Sequence, residues 1–285
     1  MSSIPNHSGK TPASKLKDYP VIDLNSDTLD LSERTLITYE KSGQRYDYYF
    51  SPKPGASRLF VLFCGDALRK KNDPPVFQRW SWAKHFPGHC LYVSDPALYL
   101  DDSLGLAWYS GSESFDPLDE ISDFMFDVGG RLGVSKRNTI LYGSSGGGFA
   151  ALRMLSMYNE LCAVCINPQT SIINFERKHV EKYLKIAFSN PSRDDAYKTI
   201  KERVDVLHKA DVFKNSRIIY IQNLADKHHY EEHYLPFCKE MGVESDENTE
   251  KGLFRRILFW DERGHGKAES QEAFDTVIRI IKEGF

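Results

Sequence analysis

The sequence lacks the features that would take a chain into a membrane, onto a nucleic acid or into a disulfide scaffold. No apolar run approaches the roughly 20 residues that a spanning helix needs, and the first residues lack the apolar core of a secretion signal. The expectation is a cytoplasmic protein without an integral membrane segment. A formal net charge of −3 leaves no basic excess for a nucleic-acid surface. Five cysteines, an odd number without regular spacing, read as reduced thiols. The single C-x-x-C, Cys162 with Cys165, lies inside the apolar run 161–166, which a buried strand explains better than a redox motif. No second pair completes a zinc site. There is also no H-E-x-x-H, no G-x-x-x-x-G-K-[ST] and no fit to G-x-G-x-x-G. Repeats and low-complexity blocks are missing too.

What is present is an alternation of strand and helix patterns. Residues 34–40 and 45–50 alternate around Ser42-Gly43, as a hairpin would. Apolar strands follow near 59–64, 90–94, 138–142, 161–166, 217–222 and 256–260. Helical patterns separate most of them, notably at 117–132 and from about 268 to 284. This order predicts an α/β fold: a mainly parallel sheet with helices on both faces and an antiparallel hairpin at the N-terminal side. Residues 1–20 are Ser/Pro/Lys-rich without periodicity and read as a flexible tail, leaving 21–285 as a single domain. About fifty residues separate the strand ending near Ile166 from the one starting at Arg217, too many for a plain crossover. Val180, Tyr183, Leu184 and Ala187 fall at helical spacing, and 195–208 is a second helical pattern, so 171–215 is a candidate helical cap. Its ten Lys/Arg against seven Asp/Glu read first as a solvated helix pair and second as a bias toward an acidic substrate.

The most informative segment is Gly143-Ser144-Ser145-Gly146-Gly147, between the apolar run 138–142 and the helix-like stretch 148–155. A strand, a sharp turn and a helix with serine at the apex and glycine on both sides make a nucleophile elbow. The turn is strained and needs residues without side chains beside it. Ser145 is therefore the expected nucleophile, and the N–H of Gly146, opening the helix, an oxyanion donor. The second donor is expected at Gly65 or Asp66, just past the buried strand 59–64. A Gly-rich packing turn is the competing account.

A serine nucleophile needs a base, and the base needs an acid to orient it. His265, in Gly264-His265-Gly266, follows the strand at 256–260, and Asp226 follows the strand at 217–222. Asp261 and Glu262 also lie near a strand end but are too close in sequence to His265 to orient it easily. The cluster His228, His229 and His233 suggests a metal at first sight. A triad makes a metal unnecessary, so these three are expected at the surface or the pocket rim, and no metal is assigned. Asn167 and Gln169, ending the strand after the elbow helix, are candidates for hydrogen bonding sugar hydroxyls or for holding their loop. Trp108 and Tyr109 belong to an aromatic-rich stretch suited to stacking on sugars or to packing a core.

The order Ser145, Asp226, His265, each just past a strand end, resembles the α/β-hydrolase superfamily over roughly residues 30–285. Within it, the chain is most similar to bacterial capsular-polysaccharide O-acetyltransferases and the related acetyltransferase-like proteins of accessory secretion systems. The carrying features are Gly143-Ser144-Ser145-Gly146-Gly147-Gly148-Phe149-Ala150-Ala151-Leu152, Ile166-Asn167-Pro168-Gln169, Asp226 with His229-Tyr230, and Gly264-His265. The resemblance implies an α/β-hydrolase fold with Ser145 as nucleophile, Asp226 as acid and His265 as base. It further implies acyl transfer on O-acyl, chiefly acetyl, esters of small molecules or carbohydrates. No cofactor is implied beyond an acyl donor such as acetyl-CoA if the enzyme is a transferase. The alternative is a non-catalytic α/β-hydrolase-like component of a polysaccharide-biosynthesis or secretion assembly. The sequence leaves oligomeric state open.

Overall fold

The computed structural model describes residues 18–267 and 269–285. Among the described residues nine strands form one sheet: β1 Val21–Asp23, β2 Thr35–Lys41, β3 Gln44–Ser51, β4 Leu59–Phe63, β5 His89–Val93, β6 Thr139–Ser144, β7 Cys162–Ile166, β8 Arg217–Asn223 and β9 Phe254–Phe259. Their order across the sheet is β1-β2-β3-β5-β4-β6-β7-β8-β9. Only the β2–β3 and β3–β5 pairs are antiparallel. The hairpin β2–β3 turns at Ser42 and Gly43, both with positive φ, as a tight two-residue turn requires. The flexible tail expected over 1–20 lies outside the described residues as far as residue 17. From 18 the chain is held: Pro20 O accepts from Leu36 N at 2.9 Å, and the Tyr19 ring packs on Tyr49.

Central strands are apolar on both faces because both faces are covered. In β4, Leu59, Val61 and Phe63 enter one core, whereas Phe60 and Leu62 enter the other. The first face is covered by α1 Pro117–Arg131 and α2 Gly146–Met157; α3 Arg177–Ala187, α4 Arg193–Thr199 and α5 Leu235–Met241 follow in the chain. The second face is covered by α6 Gln271–Lys282 and the short helix Trp80–His85. Asp116 caps α1 by accepting from Leu118 N, with Pro117 at the first helical position, and Ser270 caps α6. Cys162 and Cys165 are buried on opposite faces of β7, one in each core.

This is the α/β-hydrolase fold, with its extra antiparallel strands on the N-terminal side. The helical pattern at 195–208 is not one helix. It breaks at Ile200, where φ is −129° and ψ 34°, into α4, the turn Lys201–Val204 and the turn Leu207–Lys209. Among the described residues, no helix is long and apolar enough to cross a membrane.

Register fixes the position of the site. Phe63 pairs with Gly143, Ser144 with Ile166, Ile166 with Ile221, and Asn223 with Phe259. The loops holding residues 65, 145, 167, 226 and 265 therefore leave one edge, the carboxyl ends of parallel strands, where such sheets bind ligands.

Candidate active site

Ser145 joins β6 to α2 with φ 55° and ψ −121°, a conformation that L-residues rarely adopt. The strain is held by bonds on both sides: its N–H donates to Ile166 O at 3.0 Å, and its carbonyl accepts from Phe149 N and Gln169 N. The flanking glycines are obligatory. A Cβ on Gly143 would fall 2.2 Å from Gly147 O, and one on Gly147 would fall 2.6 Å from Phe63 O. Gly146 N–H lies in the first turn of α2, where amides have no partner inside the helix.

Asp226 and His265 meet as the sequence suggests: His265 Nδ1 lies 2.7 Å from Asp226 Oδ2. Asp261 instead pairs with Arg263. The other carboxylate oxygen has a partner too: Oδ1 lies 3.0 Å from His229 Nδ1. The two imidazoles stack with centroids 4.2 Å apart and planes 8° from parallel. His229 and His233 thus correct the expectation of surface or rim positions, being 3% and 0% exposed. The signal in the sequence was the three-residue step from Asp226 to His229. Asp226 caps the helix that begins there, accepting from His229 N, so the side chain of His229 returns over the same carboxylate.

Burial pushes the Asp226 carboxyl up, but hydrogen bonds from His229 and His265 outweigh it and hold the group well below the usual carboxylate range. Burial drives His229 down to about 4 against the opposing pull of Asp226, so it is neutral at neutral pH. Asp226, His229 and His265 are also spaced as a metal-ligand group. Hydrogen bonding accounts for that spacing without an ion.

The expected substrate contacts Asn167, Gln169, Trp108 and Tyr109 are all buried and bonded to protein. Asn167 Nδ2 donates to Asp226 Oδ2 at 3.2 Å, and its Oδ1 accepts from Asn223 N. Tyr109 OH donates to Val93 O and accepts from Cys64 N, a packing role. Trp108 Nε1 donates to Gln169 Oε1 at 3.2 Å, and Gln169 Nε2 lies 2.8 Å from Ser145 Oγ. Both aromatic residues have φ 55°, held in part by buried Asp95, whose Oδ2 accepts from Tyr109 N. Among the described residues no hydrogen bond joins Ser145 Oγ to His265. Catalytic hydrogen bonds often close only once substrate is bound. Of the two residues named for the second oxyanion donor, Gly65 gives its N–H to Gln78 Oε1 at 3.0 Å.

The 171–215 segment packs on this same edge. Phe175 touches the rings of Trp108 and His229, Tyr183 packs on Trp108, and Arg203 donates to the carbonyls of Ser112 and Phe115. Beneath α3 a cleft of about 360 Å³ is lined by Asp66, Leu106, Lys70, Lys71, Lys178 and Lys182, among others. Leu106 abuts the elbow: a Cβ on Gly146 would fall 2.5 Å from it.

No family model and no curated protein matches this sequence. Solved structures are similar in fold. The capsule O-acetyltransferase of Neisseria meningitidis serogroup A is similar with a TM-score of 0.59 and 19% identity, covering 89% of this chain and 97% of that one. A variant of that enzyme, solved in complex with CoA, has a TM-score of 0.58 at 18% identity, covering 85% and 94%. The Glycosylation Associate Protein (Gap123) complex from Streptococcus agalactiae contains a chain with a TM-score of 0.58 at 17% identity, covering 89% of this chain and 47% of that one. An S-formylglutathione hydrolase from Agrobacterium tumefaciens has a TM-score of 0.55 at 11% identity, covering 90% and 96%.

Proposed function

We propose that this protein is a serine-dependent acyl-transfer enzyme that forms an acyl-enzyme on Ser145 and hands the acyl group, chiefly acetyl, to a carbohydrate hydroxyl or to water. The observation that carries the reading is Ser145 itself, in a strained conformation at a helix N-terminus on the edge that also holds the Asp226–His265 pair. In this reading His265 takes the hydroxyl proton, Oγ bonds to the ester carbonyl carbon, and the carbonyl electron pair moves to oxygen. Gly146 N–H receives that oxyanion, with the backbone at residues 65–66 as the candidate for a second donor. Collapse expels the leaving group, which takes the proton from His265. An acceptor then repeats the steps in reverse, with Asp226 holding the imidazole in one tautomer throughout.

The lysines of the cleft below α3 favour an anionic donor or acceptor, and the CoA complex of the Neisseria enzyme makes acetyl-CoA the donor to try first. The 171–215 segment acts as the cap that walls the acceptor. Polysaccharide modification in the cytoplasm is the setting this chemistry fits.

A second reading, a non-catalytic scaffold in a polysaccharide or secretion assembly, is favoured by the likeness to the Gap123 complex. Incubation with acetyl-CoA or acetyl esters and sugar polymers, followed by mass spectrometry, separates the two. Acetyl gain or loss that depends on Ser145 supports the enzyme, and no change with any donor supports the scaffold.

A further inference from the structure

A triad uses one oxygen of its acid and one imidazole, whereas this site has a second imidazole on the same carboxylate. Its connections run back to the serine. His229 Nε2 lies 2.6 Å from Gln169 Nε2, which is also 2.8 Å from Ser145 Oγ. The amide orientation is not free, because the indole N–H of Trp108 is donor only and meets Gln169 Oε1. Gln169 therefore presents its NH2 to the other two atoms, one proton to each. His229 must accept at Nε2, which puts its own proton on Nδ1, facing Asp226 Oδ1. Every proton in this chain is then assigned, and all its members are buried.

We propose that Asp226, His229 and Gln169 form a second arm of the centre, in which Gln169 is a catalytic residue donating to Ser145 Oγ and His229 a positioning residue that acts through it. The inference rests on the reading of Ser145 as nucleophile. Because Oγ accepts from Gln169, its own proton is directed elsewhere, toward the base. As His265 removes that proton, the Gln169 N–H faces the charge that builds on Oγ, until the Oγ–carbonyl bond forms and passes that charge to the carbonyl oxygen. When the acyl group leaves, electrons return to Oγ against the same N–H, and His265 restores the proton. Gln169 and His229 keep their protons in every step. His229 cannot serve as the base, since its one lone pair is already directed at Gln169. Its depressed pKa, caused first by burial, keeps it neutral and so able to accept.

The test is steady-state kinetics on nitrophenyl acetate with full-length Gln169→Ala, Gln169→Glu, His229→Ala and the Gln169→Ala/His229→Ala pair, beside Ser145→Ala and His265→Ala. Gln169→Glu keeps the shape of the side chain and removes the donor, which covers the case in which Gln169→Ala misfolds. We expect kcat to fall roughly 10- to 100-fold in each single variant, with KM within about twofold, as for loss of one donor to a developing charge. The pair should fall no further than Gln169→Ala alone, because one residue acts through the other. Unchanged kcat in Gln169→Glu and His229→Ala overturns the proposal, as do multiplicative losses or a His229→Ala loss equal to that of His265→Ala. Full activity in Ser145→Ala would instead overturn the reading on which it rests.

Discussion

His265 Nδ1 lies 2.7 Å from Asp226 Oδ2 although 39 residues separate them. Sheet pairing, not closeness in sequence, brings the two residues together. Parallel pairing of β8 and β9 brings their ends together, and Asn223, at the end of β8, donates from its amide to the carbonyls of Asp261 and Gly264. The His265 loop is thus tied to the strand that delivers Asp226.

Asp226→Asn should therefore disable the site without unfolding it. An amide cannot accept from two Nδ1–H groups at once, so at least one imidazole takes the wrong tautomer. We expect kcat to fall on the order of 10³- to 10⁴-fold with little change in KM, read by ester hydrolysis.

Stability should fall with acid in a window set by buried imidazoles. His229 titrates at about 4 when folded and at 6.5 in the unfolded chain. Its folded pKa is the lower, so the unfolded state binds the extra proton first and stability drops as pH falls from about 6.5 to about 4. The share of His229 is at most roughly 3 kcal/mol. His233, also depressed by burial, adds to the same trend, as do His85 and His89. Asp226, held low by its partners, contributes a further loss only below its ordinary 3.8. Thermal midpoints measured across this range should show a shallower slope in His229→Ala; an unchanged slope would mean that His229 is not buried neutral.

The far side of the His265 loop is anchored by the ion pair of Arg79 and Glu269, 3.0 Å apart and each with a 3% exposed side chain. Glu269 also accepts from Tyr142 OH. Arg79→Ala leaves the carboxylate buried without its cation and should cost about 3–5 kcal/mol in urea unfolding. Arg79→Ala/Glu269→Leu should recover much of that loss, because the uncompensated charge is gone.

Reversing the charge of Lys70, Lys71 and Lys178 together should raise KM for an anionic donor such as acetyl-CoA about 10-fold or more, and make it less sensitive to salt. Turnover of a neutral acetyl ester should hardly change. Equal effects on both substrates would remove the cleft from donor binding.

The sequence exposed what depends on local pattern. The elbow glycines, the run 59–63, the Ser42-Gly43 turn and the helix at Val180, Tyr183, Leu184 and Ala187 all declare themselves through spacing or conformational need. Asp226 and His265 were readable because each follows a strand. The Gln169–His229–Trp108 network was not, because its contacts join three loops whose approach is set by sheet register. Trp108 and Tyr109 adopt left-handed backbone without being glycine, so nothing local marks that turn. From sequence Gln169 reads as a polar loop residue that meets sugar hydroxyls or holds its loop; its buried contacts with Trp108 and Ser145 exist only once the sheet edge is assembled. β1 is unmarked in the sequence for the opposite reason: it has only three residues, its two apolar ones are adjacent, and Val21 is exposed.

The central claim is that Ser145 is the acylated nucleophile. Brief exposure to a fluorophosphonate, followed by peptide mapping, tests it most directly. The account predicts one adduct, on Ser145, retained in Ser144→Ala and lost in both Ser145→Ala and His265→Ala. An adduct on Ser144, or no adduct on a folded protein, would contradict it.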